Sequence, residues 1–307
     1  MATIRPGAVP AVPSGWRRRW REVDPRAMDK LPPSSQYLNI SVLWIFYYRL
    51  VVRLLYAFRV RHEVVTAASI VCGLAAGLVI AITDSYLLLL AAAVLVHGKD
   101  LFDACDGALA RLTGTGHRLG RFLDTIGDGV AFTAMIAGVA IHAIRAGEST
   151  IGIAAWSAAA WLSLFLQCSY FNYYQINYII RAGGRTASRL NERDETGGGP
   201  WLAGLVRLYD WWFGWQDRLM TWWDTRARQW ARRRDGSLAD RDGWFVDRRL
   251  LTLNSALCFG THAFVLIVCL AANRPTWFLP VVAVGMNAYG MGAVIARQVV
   301  FRHGRAD

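Results

Sequence analysis

The sequence predicts an all-α integral membrane protein with six transmembrane helices, an N-terminal interfacial amphipathic helix and a cytoplasmic helical insert. Three observations carry this reading. Of the 307 residues, 54% are hydrophobic. They gather into six long runs rather than short alternating stretches, each near or above the ~20 residues that a spanning helix needs. The 34 Lys and Arg, which leave a net charge of +12, lie almost entirely to one side of those runs.

The elements follow in chain order. Residues 1–35 are basic and Pro-rich and lack the short apolar core of a signal peptide, so export is not expected. Residues 36–60 are aromatic and apolar but place Arg49, Arg53 and Arg59 at helical intervals, which reads as an amphipathic helix in the interface rather than a seventh span. Residues 61–182 hold the first four spans, roughly 64–83, 86–112, 122–144 and 151–180. Residues 183–249 are a polar insert that opens with a Gly- and Arg-rich linker. Its Leu202, Leu205, Tyr209, Trp212, Gln216, Leu219 and Trp223 then recur at three- and four-residue steps, an apolar stripe with one polar member. That pattern suits a helix lying on an anionic leaflet, the alternative being a small soluble helical hairpin or a dimer contact. Residues 250–301 hold the last two spans, roughly 250–273 and 275–301, and 302–307 form a tail.

If residue 64 enters from the cytoplasm, the outer connections hold only Arg145 and Arg274, and the other 32 cations fall inside or at the inner helix ends. The expected location is therefore the cell (inner) membrane, with both termini and the polar mouth of the bundle cytoplasmic. The five cysteines lie in predicted spans, form no CxxC pair and read as small apolar residues. The charge asymmetry has a topological explanation, so nucleic acid is not expected as a partner.

One stretch breaks the apolar pattern: DACDGALARLTGTGHRLGRFLDTIGD, residues 103–128. An ionised acid at membrane depth costs roughly a few kcal/mol or more, so intramembrane carboxylates are functional candidates. On a helix Asp103 and Asp106 are i,i+3 neighbours, while Gly107 and Ala110 each lie four residues beyond one of them, giving one acidic, small-sided face. Gly120, Asp124 and Asp128 are spaced i, i+4, i+8 and form a second stripe. The short turn between them makes the helices antiparallel neighbours whose stripes can face each other. Four converging carboxylates repel unless cations neutralise them, and an all-oxygen set suits hard divalent ions such as Mg²⁺, Mn²⁺ or Ca²⁺. A pair of such ions typically clamps a phosphoryl group during displacement at phosphorus, and Arg111 could add a positive fork for a diphosphate.

These residues resemble the signature of the CDP-alcohol phosphatidyltransferase family: Asp103-x-x-Asp106-Gly107-x-x-Ala110-Arg111, eight residues, then Gly120-x-x-x-Asp124-x-x-x-Asp128. The resemblance covers roughly residues 60–301, with its sharp part at 103–128. It implies a six-helix core and transfer of a phosphoalcohol group from a CDP-alcohol to a second alcohol with release of CMP, as in phospholipid biosynthesis. It further implies that Asp103, Asp106, Asp124 and Asp128 hold two divalent ions, Mg²⁺ or Mn²⁺, with Asp128 as general base on the acceptor hydroxyl. Gly107 and Arg111 would contact nucleotide and diphosphate, and Ala110 and Gly120 would allow close approach. The family's Pro-Asn/Asp-x-x-Thr element at the first span is replaced here by His62-Glu63-Val64-Val65-Thr66, in which Thr66 matches and Glu63 is one methylene longer than Asp.

The partners expected on this basis are CDP-diacylglycerol or another CDP-alcohol, an alcohol acceptor, membrane lipid, and a second copy of the chain in a homodimer. Donation from CDP-choline or CDP-ethanolamine to diacylglycerol is the alternative within the family. A cation-coupled transporter would place its acids near mid-membrane, with broken helices there. Several other residues stay open: Lys99 steadies a substrate phosphate or pairs with Asp100, and His97 packs with a local hydrogen bond. Tyr170, Asn172, Tyr173, Tyr174 and Asn177 form an aromatic belt or line the acceptor pocket. Asn254, His262, Asn287 and Tyr289 read as contacts between helices.

Overall fold

The computed structural model describes residues 16–116, 118–183, 200–231 and 241–302, and among these every regular element is helical. The helices are α1 (Trp16–Glu22), α2 (Tyr48–Ala57), α3 (His62–Ile82), α4 (Tyr86–Thr113), α5 (Arg118–Arg145), α6 (Thr150–Arg181), α7 (Pro200–Trp230), α8 (Arg241–Val246), α9 (Arg248–Ser255), α10 (Phe259–Ala271), α11 (Phe278–Pro280) and α12 (Asn287–Arg302). Large apolar side chains such as Val71, Leu78, Leu87, Val94 and Leu162 are exposed on the outside of the bundle, the polarity expected where hydrocarbon is the solvent. The chain is a multi-pass membrane protein.

Among the described residues four stretches, His62–Ile82, Leu123–Arg145, Thr150–Arg181 and Pro275–Arg302, are long and apolar enough to cross a membrane, and a fifth results if α9 and α10 count as one span. The expected span at 250–273 is thus a broken one, bent by 41°. The break has a visible cause. Residues 40 and 41 press into it, with the Ile40 amide donating to Ser255 Oγ at 2.8 Å. A Cβ on Gly260 would lie 2.3 Å from the Ser41 carbonyl oxygen, so only glycine permits the crossing. The second-half charges of α4, from Lys99 to Asp106, set it apart from the other apolar helices, although its 28 residues are long enough to span.

The amphipathic helix expected over 36–60 is realised in two pieces, a 3-10 segment Ile40–Ile45 and then α2. Together with residues 24–39 the first piece forms a strap over one end of the bundle. Trp44 Nε1 donates to Asp100 at 2.8 Å, Gln175 Nε2 to the Tyr37 hydroxyl at 2.6 Å, and the Tyr178 hydroxyl to the Ser35 carbonyl at 2.8 Å. The Tyr47 hydroxyl meets His97 Nε2, a partner 50 residues away rather than a local one.

The stripe of the insert also finds protein rather than leaflet over its second half. Gln216 is buried against Ser169, and Leu219 and Trp223 pack on the aromatic cluster of α6; the side chains of Leu202, Leu205, Tyr209 and Trp212 lie outside the described ones. Asp224, buried, accepts from the Tyr174 hydroxyl at 2.9 Å and Trp244 Nε1 at 2.7 Å. Tyr173 reaches the same carboxylate at 3.4 Å, so the tyrosines of α6 clasp α7 and α8 to the bundle. Asn177 bonds Arg181 and the Tyr173 carbonyl. Three of the four polar residues assigned to helix contacts make them: His262 Nε2 pairs with Gln167 at 2.8 Å, Gln167 with Asn287 at 2.8 Å, and the Tyr289 hydroxyl with the Leu253 carbonyl at 2.8 Å, whereas the buried Asn254 Nδ2 has no hydrogen-bond partner among the described residues. Gln167 also donates to the Val282 carbonyl in the π-helical turn Val281–Met286, which follows Pro280. The described cysteines are all free thiols.

Candidate active site

The acids come together at one end of the bundle, from the last turns of α4 and the first turns of α5. Both α4 and α5 pack along α3, and small residues let α5 approach it closely. A Cβ on Gly138 of α5 would lie 2.3 Å from the Gly77 carbonyl oxygen, one on Gly77 2.6 Å from the Ala134 oxygen, and one on Gly73 2.5 Å from the Ala131 methyl. The backbones of α3 and α5 therefore touch along a seam of Gly and Ala, as close-packed membrane helices do. The α4–α5 connection closes through Gly114, which adopts φ +66° and donates its amide to the Ala110 carbonyl, a left-handed helix cap suited to glycine.

Carboxylate oxygens of Asp103, Asp106 and Asp124 all lie within 4.8 Å of one another. Asp106 is buried, the other two half-buried. Three hard oxygen donors at that separation fit a divalent cation, which would offset their mutual repulsion. Asp128, also buried, stands outside this trio. Its carboxylate is held by the ammonium of Lys99, which is 1% exposed and also reaches Asp103 at 3.9 Å. Lys99 thus supplies part of the compensation that the sequence assigns wholly to metal, and it does so by pairing with Asp128 and Asp103 rather than with Asp100, whose partner is Trp44. Ser69 Oγ donates to the Lys99 carbonyl at 2.9 Å, and the Gly73 Cα leaves room for the lysine stem.

Thr66 belongs to the same cluster: its hydroxyl contacts Asp106 at 2.7 Å and the His62 carbonyl at 3.1 Å. Glu63 does not join it and pairs with Arg61 at 3.2 Å. Arg111 Nε donates to the Met28 carbonyl at 2.8 Å, and its guanidinium folds back over Gly107, where a Cβ would lie 3.3 Å from Nη1. The Ala110 methyl faces Gly116 of the turn, which a Cβ there would approach to 3.8 Å. Gly120 lies in the first turn of α5, and its surroundings are outside the described ones.

The sequence reading missed three contributors: Ser69, Trp44 and the strap carrying Met28. One signal was present. The chain has only two lysines among its 34 Lys and Arg, Lys30 and Lys99, and one of them, Lys99, falls at this cluster.

Lys99 yields a direct prediction. Removing one partner of a buried ion pair costs about 3–5 kcal/mol, because the other charge stays buried and uncompensated. Lys99→Met is expected to lower the unfolding midpoint in detergent with a chelator present, and saturating Mg²⁺ is expected to recover more of it in the variant than in the wild type. Equal midpoints with and without Mg²⁺ would show that Lys99 and a cation do not share one cluster of acids.

A family model described as CDP-alcohol phosphatidyltransferase matches residues 61–223, just over half of the chain. The matched stretch runs from the residue before α3 into α7 and contains all four acids, Thr66, Lys99 and Arg111. No curated protein matches the chain.

Proposed function

The chain belongs to the CDP-alcohol phosphatidyltransferase family, and from that premise we propose that it transfers the phosphatidyl group of CDP-diacylglycerol to a polar alcohol, releasing CMP. The observation that carries this reading is the convergence of Asp103, Asp106 and Asp124 to within 4.8 Å, with Asp128 beside them on Lys99. Asp103, Asp106, Asp124 and Asp128 would hold two divalent cations, Mg²⁺ or Mn²⁺. Bound there, such ions supply positive charge to the diphosphate and to the departing CMP.

The chain's own residues do the rest. The acceptor hydroxyl oxygen attacks the lipid-side phosphorus, and the bond from that phosphorus to the CMP oxygen breaks, the electron pair leaving with CMP. Asp128 takes the hydroxyl proton, and Lys99 fixes the direction in which its carboxylate points. Thr66 orients Asp106. Arg111 and the small residues Gly107, Ala110 and Gly120 shape the nucleotide and diphosphate subsite. The site opens to the cytoplasmic face of the cell membrane, with α4 and the α9–α10 pair completing six spans. The protein works as a homodimer among membrane lipids, with its substrates as its other partners and no role for nucleic acid. A transporter reading is disfavoured by the placement of the acids at one end of the bundle.

The test is CMP release by purified protein with Mg²⁺ or Mn²⁺, CDP-diacylglycerol and alcohols added one at a time, with Asp124→Ala as control. Acceptor-dependent CMP that falls about 10²–10³-fold in the control is the expected result. Release only from CDP-choline or CDP-ethanolamine with diacylglycerol would move the protein to the other branch, and no release from either donor would overturn the reading.

A further inference from the structure

We propose that Lys30 is a substrate-binding residue whose ammonium meets phosphate oxygens beside Arg111. Lys30 lies on the N-terminal strap, outside the residues matched by the family model. Its place is nonetheless fixed against the site. Arg111 Nε donates to the carbonyl of Met28, two residues before it, and the Met28 side chain is buried against α4. Between Met28 and Lys30, Asp29 is occupied by Arg49 at 2.6 Å and Gln36 at 3.0 Å. Further along, the strap is tied to Tyr178, Gln175, Ser255 and Asp100.

So held, Lys30 feels three charges of the site: Arg111, Asp124 and Asp103. Among the described residues no carboxylate forms an ion pair with its ammonium, and the residue lines, with Asp24, Arg26 and Asp29, a cavity of about 320 Å³ between the strap and Gly183, just past the end of α6. That volume is in the range of small-ligand sites. Two cations, Lys30 and Arg111, are thus kept together beside the acidic cluster. Like charges so placed repel, and an anion between them removes the repulsion. A compact, strongly hydrated ammonium on a flexible stem is a point-charge binder of phosphate, complementing the planar fork of the arginine.

The inference rests on the transferase reading for the identity of the phosphate, which is either the donor's diphosphate or the phosphate of a phosphorylated acceptor. Both sources are separated by direct binding to the full-length protein with Mg²⁺. The ligands are CDP against cytidine, and glycerol phosphate against serine, each titrated into wild type, Lys30→Met and Lys30→Arg. Lys30→Met is expected to weaken one phosphate-bearing ligand about tenfold, with cytidine and serine unaffected and Lys30→Arg recovering most of the loss. Loss on CDP assigns Lys30 to the donor, and loss on glycerol phosphate to the acceptor. In turnover the same change is expected in KM, with kcat within about threefold of wild type. Unchanged affinity for both phosphate ligands, or an equal loss for cytidine or serine, overturns the proposal. Should the wild type release no CMP, the transferase reading falls while the binding comparison still decides Lys30.

Discussion

Asp128→Asn is expected to lower CMP release by about 10³-fold while the protein stays folded and still binds CDP-diacylglycerol, a loss typical of removing a positioned general base. The amide has the shape of the carboxylate and keeps an oxygen for the Lys99 ammonium, so the buried contact at the base of the site survives. What disappears is the oxygen able to take a proton. Because Lys99 joins Asp128 to Asp103 of the trio, the assay is run across Mg²⁺ concentrations. A rate restored by excess Mg²⁺ would make Asp128 an ion ligand only, and an undiminished rate at ordinary Mg²⁺ would remove it from the chemistry altogether.

The second large effect lies far from the acids. Gly138→Val is expected to cost more than about 3 kcal/mol and to leave little folded protein in detergent. A Cβ at this position would sit 2.3 Å from the Gly77 carbonyl oxygen and 3.1 Å from the Gly77 Cα, and neither atom can rotate aside as a side chain would. Relief requires α3 and α5 to separate, which also moves Thr66 on α3 away from the first turns of α5. Gly292→Ala is the control: nothing lies within 4 Å of its added Cβ, so the substitution should be neutral or stabilising by about 0.5–1 kcal/mol, as alanine favours helix. The unfolding midpoint measures both, and an unchanged midpoint in Gly138→Val would contradict the seam.

Much of the site was legible in the sequence because each half of it is a helical stripe. Asp103, Asp106, Gly107 and Ala110 share a face by spacing alone, as do Gly120, Asp124 and Asp128, and a short turn makes the two helices neighbours. The match of Thr66 was also visible, and its hydroxyl does meet Asp106. The partner of Lys99 was not. Asp100 is its neighbour in sequence, yet adjacent residues on a helix point about 100° apart, so Asp100 turns to Trp44 while Lys99 faces Asp128 of another helix. The course of the strap was not legible for a similar reason. Residues 36–60 carry the periodicity of an amphipathic helix, but their polar groups find Ser255, Gln175 and Asp100, partners tens to hundreds of residues away. The bend at residues 256–258 carries no proline to announce it, because its cause is the crossing of Ser41 over Gly260.

By itself, then, the sequence determined that apolar helices form, which faces of α4 and α5 are acidic, and that small residues are available for close approach. These are properties of a single helix, set by 3.6-residue periodicity and by the free energy of moving side chains between water and hydrocarbon. Only the tertiary structure decided that three of the acids converge while the fourth is held by Lys99, that Gln216, Leu219 and Trp223 of the insert's stripe pack on α6, and that the strap ties Met28 to Arg111. Those outcomes depend on contacts between segments remote in the chain, which packing selects and no local pattern records.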